Sequence, residues 1–83
     1  MNLEEMLCYV TQEINALCLV PERTLYIQGR LIALYRVRRL LACYNGETLV
    51  DYVSHNQKTN IPMLPEEVCA GIRHEMIAIS SIC

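Results

Sequence analysis

Cysteine and histidine are the residues of this sequence that could carry metal or nucleophilic chemistry. Zinc sites are usually built from ligand pairs at close spacing, because such a pair presets two ligands. Here no two cysteines are closer than ten residues. We therefore expect no metal site and interpret the cysteines as buried free thiols. The residues concerned are Cys8, Cys18, Cys43, Cys69, Cys83, His55 and His74.

Catalysis by a nucleophile would need a Cys or Ser, a base and an orienting group in one pocket. His74 and Glu75 are adjacent, so their side chains diverge on a helix, and no nucleophile motif accompanies them. A short helical chain also has little room for a concave site of roughly several hundred cubic ångströms. We expect no enzymatic activity and no cofactor.

The arginines are the most informative residues. Residues 23–39 hold five of the seven basic residues and no acid, whereas residues 1–22 hold four glutamates and no base. On a helical wheel, the apolar arc of the second segment is centred near Arg30. Buried arginines are rare unless paired. Arg30 is therefore expected to pair with Glu13 or another acid of the first helix, or to reach solvent; the alternative is a contact with an anion or acidic peptide, formed across an oligomer interface.

The opposite, polar side of the same segment carries Tyr35, Arg36 and Arg39. Tyrosine and arginine are enriched among the residues that dominate binding energy, which predicts an exposed recognition face. The alternative is that the tyrosines lie at the edge of the core with their hydroxyls in water. The candidate partner-binding residues are Tyr35, Arg36, Arg39 and Arg30.

Two long helices must position these residues. The first is predicted over about 3–19, with Asn2 as its cap and with apolar residues in the 4-3-4-3 spacing typical of helix packing. The second is predicted to begin with Pro21 and to end at about Tyr44, before Asn45 and Gly46. The short turn between them predicts an antiparallel hairpin. The apolar seam of the first helix is Leu3, Leu7, Val10, Ile14 and Leu17.

The second half of the chain is predicted to add one or two further helices. Residues 47–56 fit a short helix, although their β-branched and aromatic content would also suit a strand. Residues 57–64 are predicted to form a loop, and Pro65 to open a final helix. The apolar stripe of that helix is Val68, Ile72, Met76, Ile79 and Cys83.

Length and composition bound the whole molecule. The chain has 83 residues, of which 53% are hydrophobic and 19% charged, and its mean hydropathy is +0.21. A single domain (residues 1–83) of this size cannot hide so much apolar surface in one core. The sequence therefore predicts an all-α fold, an antiparallel helical hairpin plus a C-terminal helix in a small bundle of three to four helices, and we expect it to be oligomeric.

A binding module is the function that these features favour. We expect an adaptor, inhibitor or assembly subunit that binds itself and another protein through amphipathic helices. The alternative is nucleic-acid or nucleotide binding through the arginine-rich helix, against which the net charge of −2 argues. The odd number of cysteines and the acidic N-terminus favour a reducing cytoplasm, and no apolar run reaches the ~18 residues that span a membrane.

Overall fold

The computed structural model describes residues 3–43, 46–57 and 62–82. These ranges contain four helices and no strand: α1 (Leu3–Cys18), α2 (Leu25–Cys43), α3 (Gly46–Asn56) and α4 (Glu66–Ile82). The all-α fold is confirmed, and the ambiguous segment 47–56 is helical. The radius of gyration is 12.2 Å, close to the ~12 Å of a compact chain of this length.

Apolar side chains from all four helices form one core. α2 lies at its centre, because it contacts each of the other three helices and has its most extensive contact with α4. The helix assignment of α3 follows from this packing, since Leu49 and Val53 lie one turn apart and both are buried. The buried cluster comprises Met6, Val10, Ile14, Leu17, Leu31, Ala33, Leu34, Val37, Leu40, Leu49, Val53, Val68, Ile72, Met76 and Ile79.

The predicted seam of α1 is right in its second half and wrong in its first. Leu3 and Leu7 are 48% and 44% exposed, whereas Met6 has no exposed surface. Rotation about the helix axis does not separate them, because at 100° per residue Met6 and Leu7 lie at similar angles on either side of the direction shared by Val10, Ile14 and Leu17. The physical reason is tertiary: the other helices cover the Met6 side of α1 and leave the Leu7 side open. The core face of α1 therefore begins at Met6, which takes the place of the predicted Leu3 and Leu7.

The start of α2 also differs from the prediction. Pro21 lies in the turn before the helix, and α2 begins at Leu25. Thr24 caps it: the Thr24 hydroxyl accepts a hydrogen bond from the Ile27 amide at 3.2 Å, and its carbonyl accepts one from the Gln28 amide at 3.0 Å. In the first turn of a helix the amides have no carbonyl partner within the helix, and the Thr24 side chain supplies one for Ile27. In a helix begun at Pro21, Ile27 would lie beyond the first turn and would need no such cap.

Two glycines permit the close crossing of α2 and α4. A Cβ atom at Gly29 would lie 2.1 Å from the Val68 carbonyl oxygen, and one at Gly71 would lie 2.1 Å from the Tyr26 carbonyl oxygen. Neither glycine has a positive φ, so both are required by space and not by backbone conformation. The backbones of the two helices meet directly at this point.

The antiparallel hairpin of α1 and α2 stays a prediction. Two side-chain contacts join these helices, Glu13 with Arg30 and Cys18 with Tyr35. The contact that lies later on α1 also lies later on α2. A simple antiparallel pair would match later residues of α1 with earlier residues of α2.

Several predicted positions lie outside the described residues: Asn2 as a cap, Tyr44 and Asn45 at the end of the second helix, part of the loop 57–64, and Cys83. Pro65 lies just before α4, and its carbonyl accepts hydrogen bonds from the Val68 and Cys69 amides. Within the described chain, no helix is both long and apolar enough to cross a bilayer.

Candidate partner-binding surface

The outward side of α2 carries a second row of residues that the core does not use. Its members follow a 3-4-3-4 spacing, the spacing with which one helix packs along another. Ile32 and Tyr35, at its centre, are 50% and 43% exposed. We call this row the outer stripe; it consists of Leu25, Gln28, Ile32, Tyr35 and Arg39, all of them exposed.

Two shallow depressions follow the outer stripe. The larger, about 500 Å³, is lined by Ile32, Tyr35, Arg36, Arg39 and Tyr52. The smaller, about 250 Å³, is lined by Arg23, Gln28, Leu31, Ile32 and Tyr35. Because they share Ile32 and Tyr35, they form one concave strip along α2, which we call the α2 groove. It has an apolar and aromatic centre and arginines towards both ends.

Aromatic rings hold two arginines near the groove. The Arg36 guanidinium carbon lies 6.0 Å from the centroid of the Tyr52 ring on α3, and that of Arg38 lies 4.9 Å from the Tyr35 ring. Such cation–π contacts stabilise exposed pairs by about 0.5–1 kcal/mol. Burial raises the pKa of Tyr52, and the charge of Arg36 only partly opposes this effect. Tyr52 therefore stays neutral beside Arg36.

The electrostatics of the α2 groove are one-sided. Among the residues that the structure describes, no acid lines either depression. In the described ranges the ion pairs are Arg30 with Glu13, Arg30 with Glu75, and Arg73 with Glu66. The groove arginines Arg23, Arg36 and Arg39 are in none of them, so their charge is directed to solvent.

Arg30 lies elsewhere, between α1, α2 and α4. Its Nη2 donates to the Glu13 Oε2 at 3.0 Å, the pair expected from the sequence, and its Nε donates to the Glu75 Oε1 at 2.6 Å. The Tyr9 hydroxyl donates to the other Glu75 oxygen at 3.3 Å. The structure thus brings together Tyr35, Arg36 and Arg39 and separates Arg30 from them.

Glu75 is the member of this network that sequence reasoning missed. It has no exposed surface, although its charge predicts a solvent position. The available signal was its place in the stripe of α4, three residues after Ile72 and four before Ile79, which puts it on the buried face. An acid at such a position requires a buried cation, and Arg30 at the centre of the apolar arc of α2 supplies it.

The network changes the acidity of its members. Burial raises the pKa of Tyr9 to about 12, and the charges of Glu75 and Glu13 act in the same direction. Burial alone would lower the pKa of Arg30, but the hydrogen bond and charge of Glu75 outweigh it and raise that pKa. In the ranges described, every buried side-chain nitrogen and oxygen has a hydrogen-bond partner. The network is therefore closed and suits a structural role.

A second polar pair lies one turn before Arg30. The Tyr26 hydroxyl and the His74 Nδ1 are 2.5 Å apart, and their rings meet edge to face. Both side chains are exposed. Each of the two residues lies three positions from a glycine of the Gly29–Gly71 crossing. The pair therefore adds a polar contact between α2 and α4 beside that crossing.

The cysteines are less buried than the sequence predicts. Cys69 is buried, but Cys8 and Cys18 are exposed free thiols on α1, because the face that carries them points away from the core. Among the described residues, no three His, Cys, Asp or Glu side chains come together as metal ligands.

Comparison of the chain with protein families, curated proteins and solved structures finds no match. The geometry and charge of the α2 groove are therefore the basis on which its function must be argued.

Proposed function

We propose that this chain is a small non-enzymatic protein-binding module, an adaptor, inhibitor or assembly subunit, that binds an acidic amphipathic helix along the α2 groove. The observation that carries the proposal is the outer stripe: exposed residues in helix-packing register on the central helix of the fold. A core helix needs only one such row, and α2 has a second that no described element covers.

The shape of the groove favours a helix as its occupant. Residues 25–39 span about 21 Å of helix axis, or roughly four turns. The 3-4-3-4 rows of one helix accept the corresponding rows of another, and helix-in-groove recognition uses this geometry. The exposed side chains of Ile32 and Tyr35 provide an apolar centre that such a contact would bury.

The charge of the groove favours an acidic helix. Arg23 lies near one end, and Arg36 and Arg39 lie near the other. Ion pairs at the rim of an interface contribute about 0–1 kcal/mol each, so they select the partner and speed its encounter. Burial of Ile32 and Tyr35 supplies most of the affinity, as buried aromatic anchors do in other interfaces.

A designed peptide tests the proposal directly. The probe is a fluorescent helical peptide of about 15 residues, four turns long, with leucines at 3-4 spacing flanked by glutamates; its partner peptide has lysines in place of the glutamates. We expect fluorescence anisotropy to show binding of the glutamate peptide only. Arg36→Glu with Arg39→Glu should weaken that binding at least tenfold, with helicity by circular dichroism unchanged.

The matched control is Arg73→Glu, a charge reversal on α4 outside the groove, which should bind the peptide as the wild type does. Equal binding of both peptides, or normal binding by the Arg36/Arg39 variant, would show that the groove does not recognise an acidic helix.

The same proposal includes self-association in a reducing cytoplasm. Leu19, Met63 and Ile77 are 83%, 91% and 59% exposed, and surface of this kind is usually covered in an oligomer. Cys8 and Cys18 are exposed free thiols, the state that a reducing compartment maintains.

Nucleic-acid binding is the second candidate, favoured by the arginines and tyrosines that line the groove. A labelled single-stranded oligonucleotide in the same anisotropy assay separates the two. Binding with a steep salt dependence, lost in the Arg36/Arg39 variant, would favour it over the helix-binding function.

A further inference from the structure

The end of the α2 groove that carries two arginines differs in its chemistry from the rest of the groove. The described side chains that line the larger depression, about 500 Å³, are two guanidinium groups, two phenols and one alkyl group. Guanidinium N–H and phenol O–H groups donate hydrogen bonds, and a guanidinium cannot accept one. We call this part of the groove the arginine end; its residues are Ile32, Tyr35, Arg36, Arg39 and Tyr52.

Arg36 and Arg39 are neighbours of like charge. They lie three residues apart on α2, so their side chains share one face of the helix, where like charges oppose helix formation. α2 contains no acid that could neutralise them from within the helix. The ion pairs between described side chains use Arg30 and Arg73 instead. An anion from outside the chain would relieve this repulsion.

The Arg36 guanidinium is already oriented by a neighbouring helix. Its carbon lies 6.0 Å from the centroid of the Tyr52 ring, so α3 holds an arginine of α2. Burial raises the pKa of Tyr52 against the opposing charge of Arg36, and the phenol therefore keeps its O–H as a donor. A group that is oriented in advance loses less conformational freedom when a ligand binds. The arginine end is thus better prepared for an anion than two freely moving arginines would be.

The choice of cation indicates the kind of anion. One of the seven basic residues of the chain is a lysine, Lys58, and the described cations of the groove are all arginines. The planar guanidinium donates two parallel hydrogen bonds to a carboxylate or a phosphate. A carboxylate carries one charge, whereas a phosphate monoester carries about −1.5 to −2 at pH 7 and has three acceptor oxygens. A phosphate monoester therefore matches two adjacent arginines better than one glutamate does.

We infer that the arginine end binds a phosphorylated side chain of the partner helix, with its phosphate held by Arg36 and Arg39. The inference rests on the proposed function and names the anionic group that the acidic helix carries at this end. Ile32 and Tyr35 continue the groove towards Arg23. A free phosphate ion would leave that strip uncovered, whereas a phosphorylated helix covers it. Phosphorylation of the partner would then control its binding.

Versions of the designed helical peptide test the inference by fluorescence anisotropy. One terminal glutamate of the glutamate peptide is replaced by serine or by phosphoserine, and the exchange is made separately at each end so that either direction of the helix is covered. At one of the two ends, phosphoserine should strengthen binding about tenfold over glutamate, and more over serine, because a hydrogen bond to a charged group typically contributes that much.

Single substitutions locate the bound phosphate. Arg39→Gln removes one guanidinium from the arginine end, and the matched control Arg23→Gln removes one from the opposite end of the groove. The gain from phosphoserine should disappear in Arg39→Gln and persist in Arg23→Gln. Arg39→Lys, which keeps the charge without the planar fork, should retain only part of the gain. Circular dichroism verifies that each variant is folded.

The possible failures of the two proposals are distinguishable. Phosphoserine peptides that bind no more tightly than the glutamate peptide would overturn the inference and leave the proposed function standing. A gain lost equally in Arg39→Gln and Arg23→Gln would also contradict it, because the phosphate would then respond to the charge of the whole groove. Tighter binding of inorganic phosphate or of a single-stranded oligonucleotide than of the phosphoserine peptide would assign the site to a different ligand. Absence of binding by every peptide would remove both proposals together.

Discussion

At the scale of single residues, the core contains one buried charge, Glu75, among the residues that the structure describes. Glu75 lies inside the apolar stripe of α4 and is held by Arg30 of α2 and Tyr9 of α1. Removing two ions from water costs several kcal/mol, and their attraction repays that cost only with good geometry. We expect the pair to contribute mainly by favouring the observed meeting of α1, α2 and α4, because a packing that buried Glu75 away from Arg30 would leave a carboxylate without its cation.

Breaking the pair should cost more than replacing it. We expect Glu75→Ala to lower the free energy of unfolding by about 3 kcal/mol, because Arg30 loses its nearest carboxylate. The double variant Arg30→Met with Glu75→Leu should lie within about 1 kcal/mol of the wild type. Urea denaturation followed by circular dichroism measures all three. A double variant no more stable than Glu75→Ala would contradict the interpretation.

Tyr9 should make stability depend on alkaline pH. Its pKa is raised from the ordinary value of 10.0 to about 12 by burial and by the facing charges of Glu75 and Glu13, against which Arg30 acts. The fold therefore favours the neutral phenol: its contribution is full below pH 10.0 and is lost as the pH rises to about 12.

The measurement is the difference in unfolding free energy between the wild type and Tyr9→Phe, taken from pH 9 to pH 12. We expect the advantage of the wild type to shrink over that interval. Tyr35→Phe, which removes an exposed phenol, is the control. An advantage that stays constant up to pH 12 would mean that Tyr9 is not held neutral by the network.

At the scale of the elements, α2 performs two tasks on different sides. One side packs on the other three helices and crosses α4 at Gly29 and Gly71. The other bears the outer stripe. The apolar residues of α2 are spread around the helix axis, so the sequence of α2 is only weakly amphipathic. In the structure its two sides nevertheless differ, because one is buried and the other exposed. A helix that is apolar on more than one side is buried on more than one side, which is the basis for expecting an external partner.

The glycine crossing gives a prediction at this scale. Alanine favours an isolated helix over glycine by about 1 kcal/mol, yet we expect Gly29→Ala and Gly71→Ala each to destabilise the protein by about 2 kcal/mol or more, as overpacking does. The added methyl would meet a backbone oxygen at 2.1 Å, and backbone cannot rotate away. Thermal or urea unfolding measures the change.

Asn15→Ala is the control for the glycine variants, because Asn15 is exposed on α1 and lies outside the α2 groove. It should be nearly neutral. Alanine variants of the glycines that are as stable as this control would show that α2 and α4 can separate at no cost.

At the scale of the whole molecule, acidic and basic residues are separated along the first half of the chain. The acids lie in residues 1–22 and the bases in residues 23–39. The net charge of −2 hides this segregation, which suits recognition between unlike faces. Electrostatic contributions of exposed charges are screened over about 10 Å at 0.1 M salt and about 3 Å at 1 M.

Binding of an acidic helix in the α2 groove should therefore weaken as salt rises. We expect the dissociation constant of the glutamate peptide, measured by fluorescence anisotropy, to increase several-fold between about 0.05 and 0.5 M NaCl, where the screening length falls well below the size of the groove. The charge-neutral variant Arg36→Gln with Arg39→Gln should show a smaller dependence. Binding that tightens with salt would indicate that apolar contact alone holds the peptide.

The sequence by itself determined the helical class, because periodicity of apolar residues and the proline and polar breaks between them are local properties of the chain. The last helix is confirmed, and the described residues of its stripe, Val68, Ile72, Met76 and Ile79, are buried. The expected pairing of Arg30 with Glu13 is observed as well. The sequence left residues 47–56 open between helix and strand, and the structure shows a helix there. The exposure of Tyr35, Arg36 and Arg39 likewise follows from their position opposite the apolar arc of α2.

Only the tertiary structure decided which apolar residues of α1 are buried and which acids pair with Arg30. Leu3 and Leu7 satisfy a helical seam as well as Met6 does, and the neighbour that each meets depends on how α1 lies on α2. Glu75 and Arg30 are 45 residues apart, and Gly29 and Gly71 are paired by a crossing that no local pattern encodes. Burial and close approach are properties of the space between helices, and a single helix does not specify that space.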